Sequence, residues 1–216
     1  VYICTKTNKP MELTEKKSLI VDLSSLKDDF SEAGPLVCIS LEGTLFRKIR
    51  PSNISSTPKQ WLDGAIEITY SQADQVEKNI LIQRPGAADL LVELSKHVSL
   101  MVYSSQTSEF IDEALLQLSI VQGDPDNCTD LEYARAEAYY NLDVWSRDQC
   151  IEAKEGYRKS LGTLSEFFDS GINDIWLIDH KPEQVDFSNH VICVSEFFGD
   201  PDDRELYKLI DKMFIN

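Results

Sequence analysis

Leu36-Val37-Cys38-Ile39 is a four-residue apolar run, preceded by Ala33-Gly34-Pro35 and broken at once by Ser40-Leu41-Glu42-Gly43-Thr44. A run that short, bounded by turn residues, suits an inner strand of a parallel sheet. Ligand sites in open α/β sheets form beyond the carboxyl ends of such strands. The polar break from Ser40 to Thr44 is therefore the first place to look for a site. A chain of 216 residues with a 42% apolar fraction is enough for one α/β domain with an appendage.

Three further runs repeat the pattern. Val98 to Tyr103 ends in Ser104-Ser105-Gln106, Asp174 to Ile178 ends in Asp179, and Asn189 to Val194 is the fourth strand. Helical spacing appears at Ala87, Leu90, Leu91 and Leu94, over about 108–119, and near the end at Leu206, Leu209, Ile210 and Met213. Residues 65–70 and 79–83 are rich in β-branched side chains and predict a hairpin over 65–83, with a polar tip at 71–78. Residues 120–130 read as a turn-rich linker, and Leu131 to Val144 as an inserted helix, so that 120–144 forms a helical insertion. Residues 1–34 are polar and mixed and are expected to form an N-terminal arm.

Lys and Arg total 21 against 37 Asp and Glu, a formal charge of -16. That disfavours nucleic-acid binding, which needs cationic surface to displace counterions, and is compatible with a basic partner. The five cysteines contain no CxxC pair, which argues against a zinc or redox motif. Cys38 and Cys193 lie in apolar strands and read as buried thiols. No apolar run approaches the ~18 residues of a membrane span.

The frame of Ser40, Glu42 and Thr44 resembles the Asp-x-Asp-x-(Thr/Val) motif of aspartate-based phosphatases in the haloacid dehalogenase superfamily, with Ser40 at the position of the attacking Asp. Ser104 stands where that family places a phosphoryl-binding Thr or Ser, Lys159 where it places a neutralising Lys, and Asp179 where it places a magnesium-binding Asp. Arg84-Pro85-Gly86, the hairpin, and the ending Phe197-Phe198-Gly199-Asp200 are similar to the small phosphatases acting on the C-terminal repeats of RNA polymerase II. The resemblance covers roughly 35–213, within an expected domain at 35–216. It implies a three-layer α/β/α Rossmann-like fold with a β-hairpin insertion and a helical insertion.

A serine hydroxyl is mostly protonated at neutral pH and needs a base before it can attack phosphorus. His180 follows Asp179 directly; if the strand ran through both, their side chains would face opposite ways, which argues against a Ser-His-Asp arrangement. The extra methylene of Glu42 would shift its oxygens by about an ångström, a misplacement that can cost ~100-fold. Magnesium usually wants one or two carboxylates, and Lys181 adds positive charge nearby. Removing a covalent nucleophile costs on the order of 10⁶ in turnover. The expectation is therefore a pseudophosphatase, not an enzyme, with no metal, no cofactor and a vestigial pocket of Ser40, Glu42, Thr44, Ser104, Lys159 and Asp179.

Ser40-Leu41-Glu42 and Ser104-Ser105 are also similar to one degenerate branch, the presequence receptor of the mitochondrial inner-membrane translocase (Tim subunit). The hairpin departs from that branch, whose connection is shorter. This likeness implies a receptor on the intermembrane-space side of the mitochondrial inner membrane. Its partners would be the translocase channel subunit, other mitochondrial complex subunits and basic presequence peptides, with neither nucleic acid nor a membrane span. The alternatives are a structural phosphatase-fold subunit of a larger mitochondrial complex and a diverged active protein serine phosphatase, nuclear or cytoplasmic.

Overall fold

The computed structural model describes residues 35–120, 128–154 and 156–214. The expected arm at 1–34 and residues 121–127 of the 120–144 stretch lie outside these. Strand β1 (Leu36–Ile39) is the centre of a five-stranded sheet, between β5 (Ser99–Tyr103) and β9 (Ile175–Asp179). Beyond them lie β6 (Asp143–Trp145) and β10 (Val191–Cys193), giving the order β10-β9-β1-β5-β6. Every pairing is parallel.

Both faces of this sheet are covered, which is why its strands are apolar throughout rather than alternating. On one face Val37, Ile39, Val102, Trp176, Ile178 and Ile192 join a core with helices α1 (Ala87–Ser95), α2 (Ser108–Leu118) and α5 (Glu205–Phe214). On the other, Cys38, Met101, Tyr103, Ile175, Leu177 and Val191 pack with Leu161 and Leu164 of α4 (Leu161–Phe167). Adjacent residues of one strand point to opposite faces, so the two cores divide each strand between them. The result is the expected three-layer α/β/α fold.

The hairpin is formed by β3 (Ile66–Gln72) and β4 (Gln75–Gln83), and β2 (Phe46–Ile49) adds to the far edge of β4. The tip is tighter than the polar run at 71–78 implies. Pairing continues to Gln72 and Gln75, and Ala73 and Asp74 turn alone with φ of 49° and 62°. Two left-handed residues in a two-residue loop match the twist of the flanking strands. Polarity here reports a solvated hairpin end, not a loop.

The inserted helix is α3 (Asp130–Tyr140), opened by a capping box between Thr129 and Glu132. It is shorter than the predicted span, because Asp143–Trp145 leaves the insertion to become the edge strand β6 beside β5. Arg135 pairs with Asp89 of α1, and the Tyr139 hydroxyl accepts from Gln83 Nε2 at 2.8 Å. Cys38 is fully buried as expected, whereas Cys193 is only partly so. Among the described residues, no helix is long and apolar enough to cross a membrane.

His190 lies under the sheet, its ring 5.0 Å from that of Trp176. Burial pushes its pKa below the ordinary 6.5, against a backbone hydrogen bond to Ile175 that favours the charged form. A base depressed in the folded state binds fewer protons than in the unfolded chain, so folding weakens as pH falls below about 6.5. The urea midpoint is expected to drop between about pH 7 and pH 5, and the drop to shrink in His190→Gln; an equal drop in both would remove His190 as its source.

Candidate functional site

The carboxyl ends of β1, β5 and β9 open onto one polar cavity of about 270 Å³. Ser40, Glu42, Ser104, Lys159 and Asp179 all line it, brought from four separate stretches of the chain. Thr44 does not: it is fully buried beneath the β1 loop, with its hydroxyl 3.3 Å from His180 Nδ1. Thr44 therefore supports the loop from below.

The loop after β1 turns back sharply. Gly43 N–H donates to the Phe46 carbonyl and Leu45 N–H to that of Leu41. Gly43 holds φ +77°, and a Cβ there would come within 2.6 Å of the His180 ring. Glycine is required twice over, for the left-handed backbone and for the imidazole packed on it.

Lys159 is held by backbone on both sides. Its N–H donates to the Gln184 carbonyl, and its own carbonyl accepts from Asp186 N–H. Asp186 also receives Ser160 Oγ and Leu161 N–H at 2.6 Å each, fixing the start of α4 behind the lysine. With its stem buried, the ammonium reaches Ser40 Oγ at 2.8 Å and Asp179 Oδ2 at 2.5 Å. Asp179 Oδ1 accepts the Lys181 backbone N–H at 2.9 Å. Burial by itself would raise the Asp179 pKa. The Lys159 charge, with hydrogen bonds from His180, Lys159 and Lys181, outweighs it and holds the carboxyl well below the ordinary carboxylate range.

His180 differs from its expected orientation. The strand ends at Asp179, so the next residue is free of strand alternation, and the ring turns back to place Nδ1 3.3 Å from Asp179 Oδ1. It does not complete a triad, because Ser40 Oγ is engaged by Lys159 and, among the described residues, no hydrogen bond joins it to the imidazole. Glu42 is steered by residues that motif reading overlooked: Gln106 Nε2 donates to Oε2 at 2.6 Å, and Lys48 Nζ lies 3.8 Å away. Arg47, Tyr157, Lys181 and Glu196 complete the rim. Residues of this kind carry no local signature; only the fold places Arg47 on the cavity wall and Lys48 beside Glu42.

A magnesium ion does not fit this donor set. The acid that the resemblance places at residue 40 is a serine; of the two carboxylates that line the cavity, Asp179 is taken up by an ammonium, an N–H and an imidazole, and Glu42 Oε2 is held by Gln106 beside Lys48. Among the described residues, no group of three or more His, Cys, Asp or Glu is arranged to hold a metal. Hard divalent ions want charged oxygens facing the ion, and here a cationic side chain already fills that place.

Residues 35–214 match the model of a family described as NLI interacting factor-like phosphatase. Phosphatase PSR1 of Saccharomyces cerevisiae is 25% identical over 138 residues, which are 63% of this chain and 27% of that protein. A fission yeast RNA polymerase II CTD phosphatase, Fcp1, solved as a variant bound to beryllium fluoride, superposes with a TM-score of 0.55 at 16% identity, covering 82% of this chain and 44% of its own. A second Fcp1 structure, described as an essential RNA polymerase II CTD phosphatase, gives 0.54 at 20% identity, covering 88% and 50%. The chain thus spans half or less of the length of each.

These matches correct two expectations. The non-enzyme reading gives way, because the family and each of these relatives are described as phosphatases. The mitochondrial inner-membrane placement gives way too, because the relatives named above are a yeast phosphatase and RNA polymerase II CTD phosphatases. The chain belongs to the family of NLI interacting factor-like phosphatases.

Proposed function

We propose that this chain is a phosphomonoester phosphatase in which the Ser40 hydroxyl, rather than a carboxylate, accepts the phosphoryl group. The observation that carries this reading is the convergence of Ser40, Ser104 and Lys159 at the carboxyl ends of β1 and β5, around a cavity with polar walls. Lys159 donates to Ser40 Oγ, which fixes the oxygen and leaves the hydroxyl proton directed elsewhere. As the Ser40 Oγ–P bond forms, the bond from phosphorus to the leaving oxygen breaks, and the serine proton ends on that oxygen. Water then cleaves the phosphoserine, returning the hydroxyl and releasing inorganic phosphate. A hydroxyl is a weaker nucleophile than an ionised carboxylate in the same place, so turnover is slow. The test is release of phosphate from p-nitrophenyl phosphate and from a phosphoserine peptide by the chain and by Ser40→Ala. Turnover unchanged in the variant, or indistinguishable from the uncatalysed rate in the parent, overturns the reading.

The substrate on this reading is a phosphorylated protein segment with cationic flanks. The support is the formal charge of -16, which draws a basic peptide toward the surface. KM for a phosphopeptide flanked by Lys and Arg is expected to be several-fold below that for one flanked by Asp and Glu, on the order of 3- to 10-fold at low salt, converging as salt rises. Equal KM values at low salt would remove the charge preference.

A further inference from the structure

We propose that the Lys159 ammonium takes the place of a divalent cation, so that the pocket binds a phosphoryl group without metal. This inference rests on the reading of the cavity as a phosphoryl site. With serine at position 40, Asp179 is the buried carboxylate beside Lys159, and the ammonium within 2.5 Å balances it one for one. A divalent ion between Ser40 and Asp179 would have to displace Nζ, which already contacts both. Expelling it would leave a buried ammonium without its carboxylate, an uncompensated charge away from water.

Geometry points the same way. Lys159 carries three N–H donors, of which one goes to Ser40 Oγ and one to Asp179 Oδ2. The third remains for an oxyanion in the cavity that Lys159 lines. Ser104 Oγ accepts from Gln106 N–H at 3.2 Å, which leaves its own proton as a second donor. The lysine is also unable to withdraw, because its backbone is pinned to Gln184 and Asp186 and its side chain is 7% exposed. Lys159 is thus a fixed, desolvated cation at the place where a mobile one would otherwise be recruited.

The probe is inorganic phosphate, titrated into the chain by calorimetry, once with EDTA and once with excess magnesium chloride. The expected result is the same Kd within about threefold in both. Lys159→Met is expected to bind at least ~10-fold more weakly, as loss of a charge-assisted donor requires. That variant leaves Asp179 unpaired, so its folding is checked by thermal melting; the comparison of EDTA with magnesium needs no variant. Phosphate binding more than about threefold tighter with magnesium overturns the metal-free site and leaves the phosphoryl reading standing. No phosphate binding under either condition overturns both.

Discussion

Ser40→Ala is expected to lower phosphomonoester turnover by on the order of 10²-fold or more, while the protein still folds. Removing the nucleophile of a serine hydrolase costs on the order of 10⁶, but that figure belongs to a hydroxyl activated by histidine. Here His180 Nδ1 faces Thr44 and Asp179, no hydrogen bond joins the imidazole to Ser40 among the described residues, and Ser40 is oriented by an ammonium that supplies position and charge. The parent therefore starts from a lower rate, and the variant has less to lose. Alanine removes one accepted hydrogen bond from Lys159, whose salt bridge to Asp179 remains. The stability change should stay within roughly 1–3 kcal/mol, the range for leaving one buried donor unsatisfied. The measurement is the initial rate of phosphate release, paired with urea denaturation. A Ser40→Ala protein that turns over at the parent rate would show that chemistry occurs elsewhere.

Arg84→Met is expected to destabilise the fold by ~3–5 kcal/mol, the range for removing one partner from a buried charged pair. Arg84 is almost fully buried. Its Nε and Nη2 donate to the two Asp203 oxygens at 3.0 and 2.9 Å, and Nη1 donates to the carbonyls of Thr44 at 3.3 Å and Ser195 at 2.9 Å. One guanidinium thus ties together the loop after β1, the segment after β10 and the approach to α5. Methionine matches much of the stem and none of these bonds, leaving a carboxylate and two carbonyls without their donor. At this chain length each kcal/mol moves the melting temperature by roughly 2–4 °C, so a fall on the order of 10 °C is expected. Arg84→Lys keeps the charge but loses the fork, and should recover only part of the loss. A fall under about 3 °C in Arg84→Met would show that the contacts are dispensable.

The candidate site was legible wherever one of its residues ended a strand. Ser40, Ser104 and Asp179 each terminate an apolar run, and parallel pairing of those runs brings their carboxyl ends to one side of the sheet. Lys159 was legible only through its place in the motif order, since nothing in its neighbours marks a buried cation. Thr44 was read as part of the pocket and lies beneath it, because the loop turns back at Gly43. Gln106 and Lys48, which aim Glu42, could not be found from the chain alone. The short strand β6 was hidden as well: three residues show no periodicity, and Asp143 within them is exposed.

The order of buried strands and amphipathic helices was determined by the sequence itself, because burial on two faces requires continuous apolar runs and burial on one requires helical spacing. The same residues determined that an alcohol stands where a carboxylate is expected. The tertiary structure alone decided what surrounds that alcohol. Lys159 lies 119 positions from Ser40, and Asp179 a further 20, and only packing across β1, β9 and the turn before α4 sets the ammonium between them. Whether a charge in such a place is balanced depends on distances and exclusion of water, and neither is encoded by any single segment.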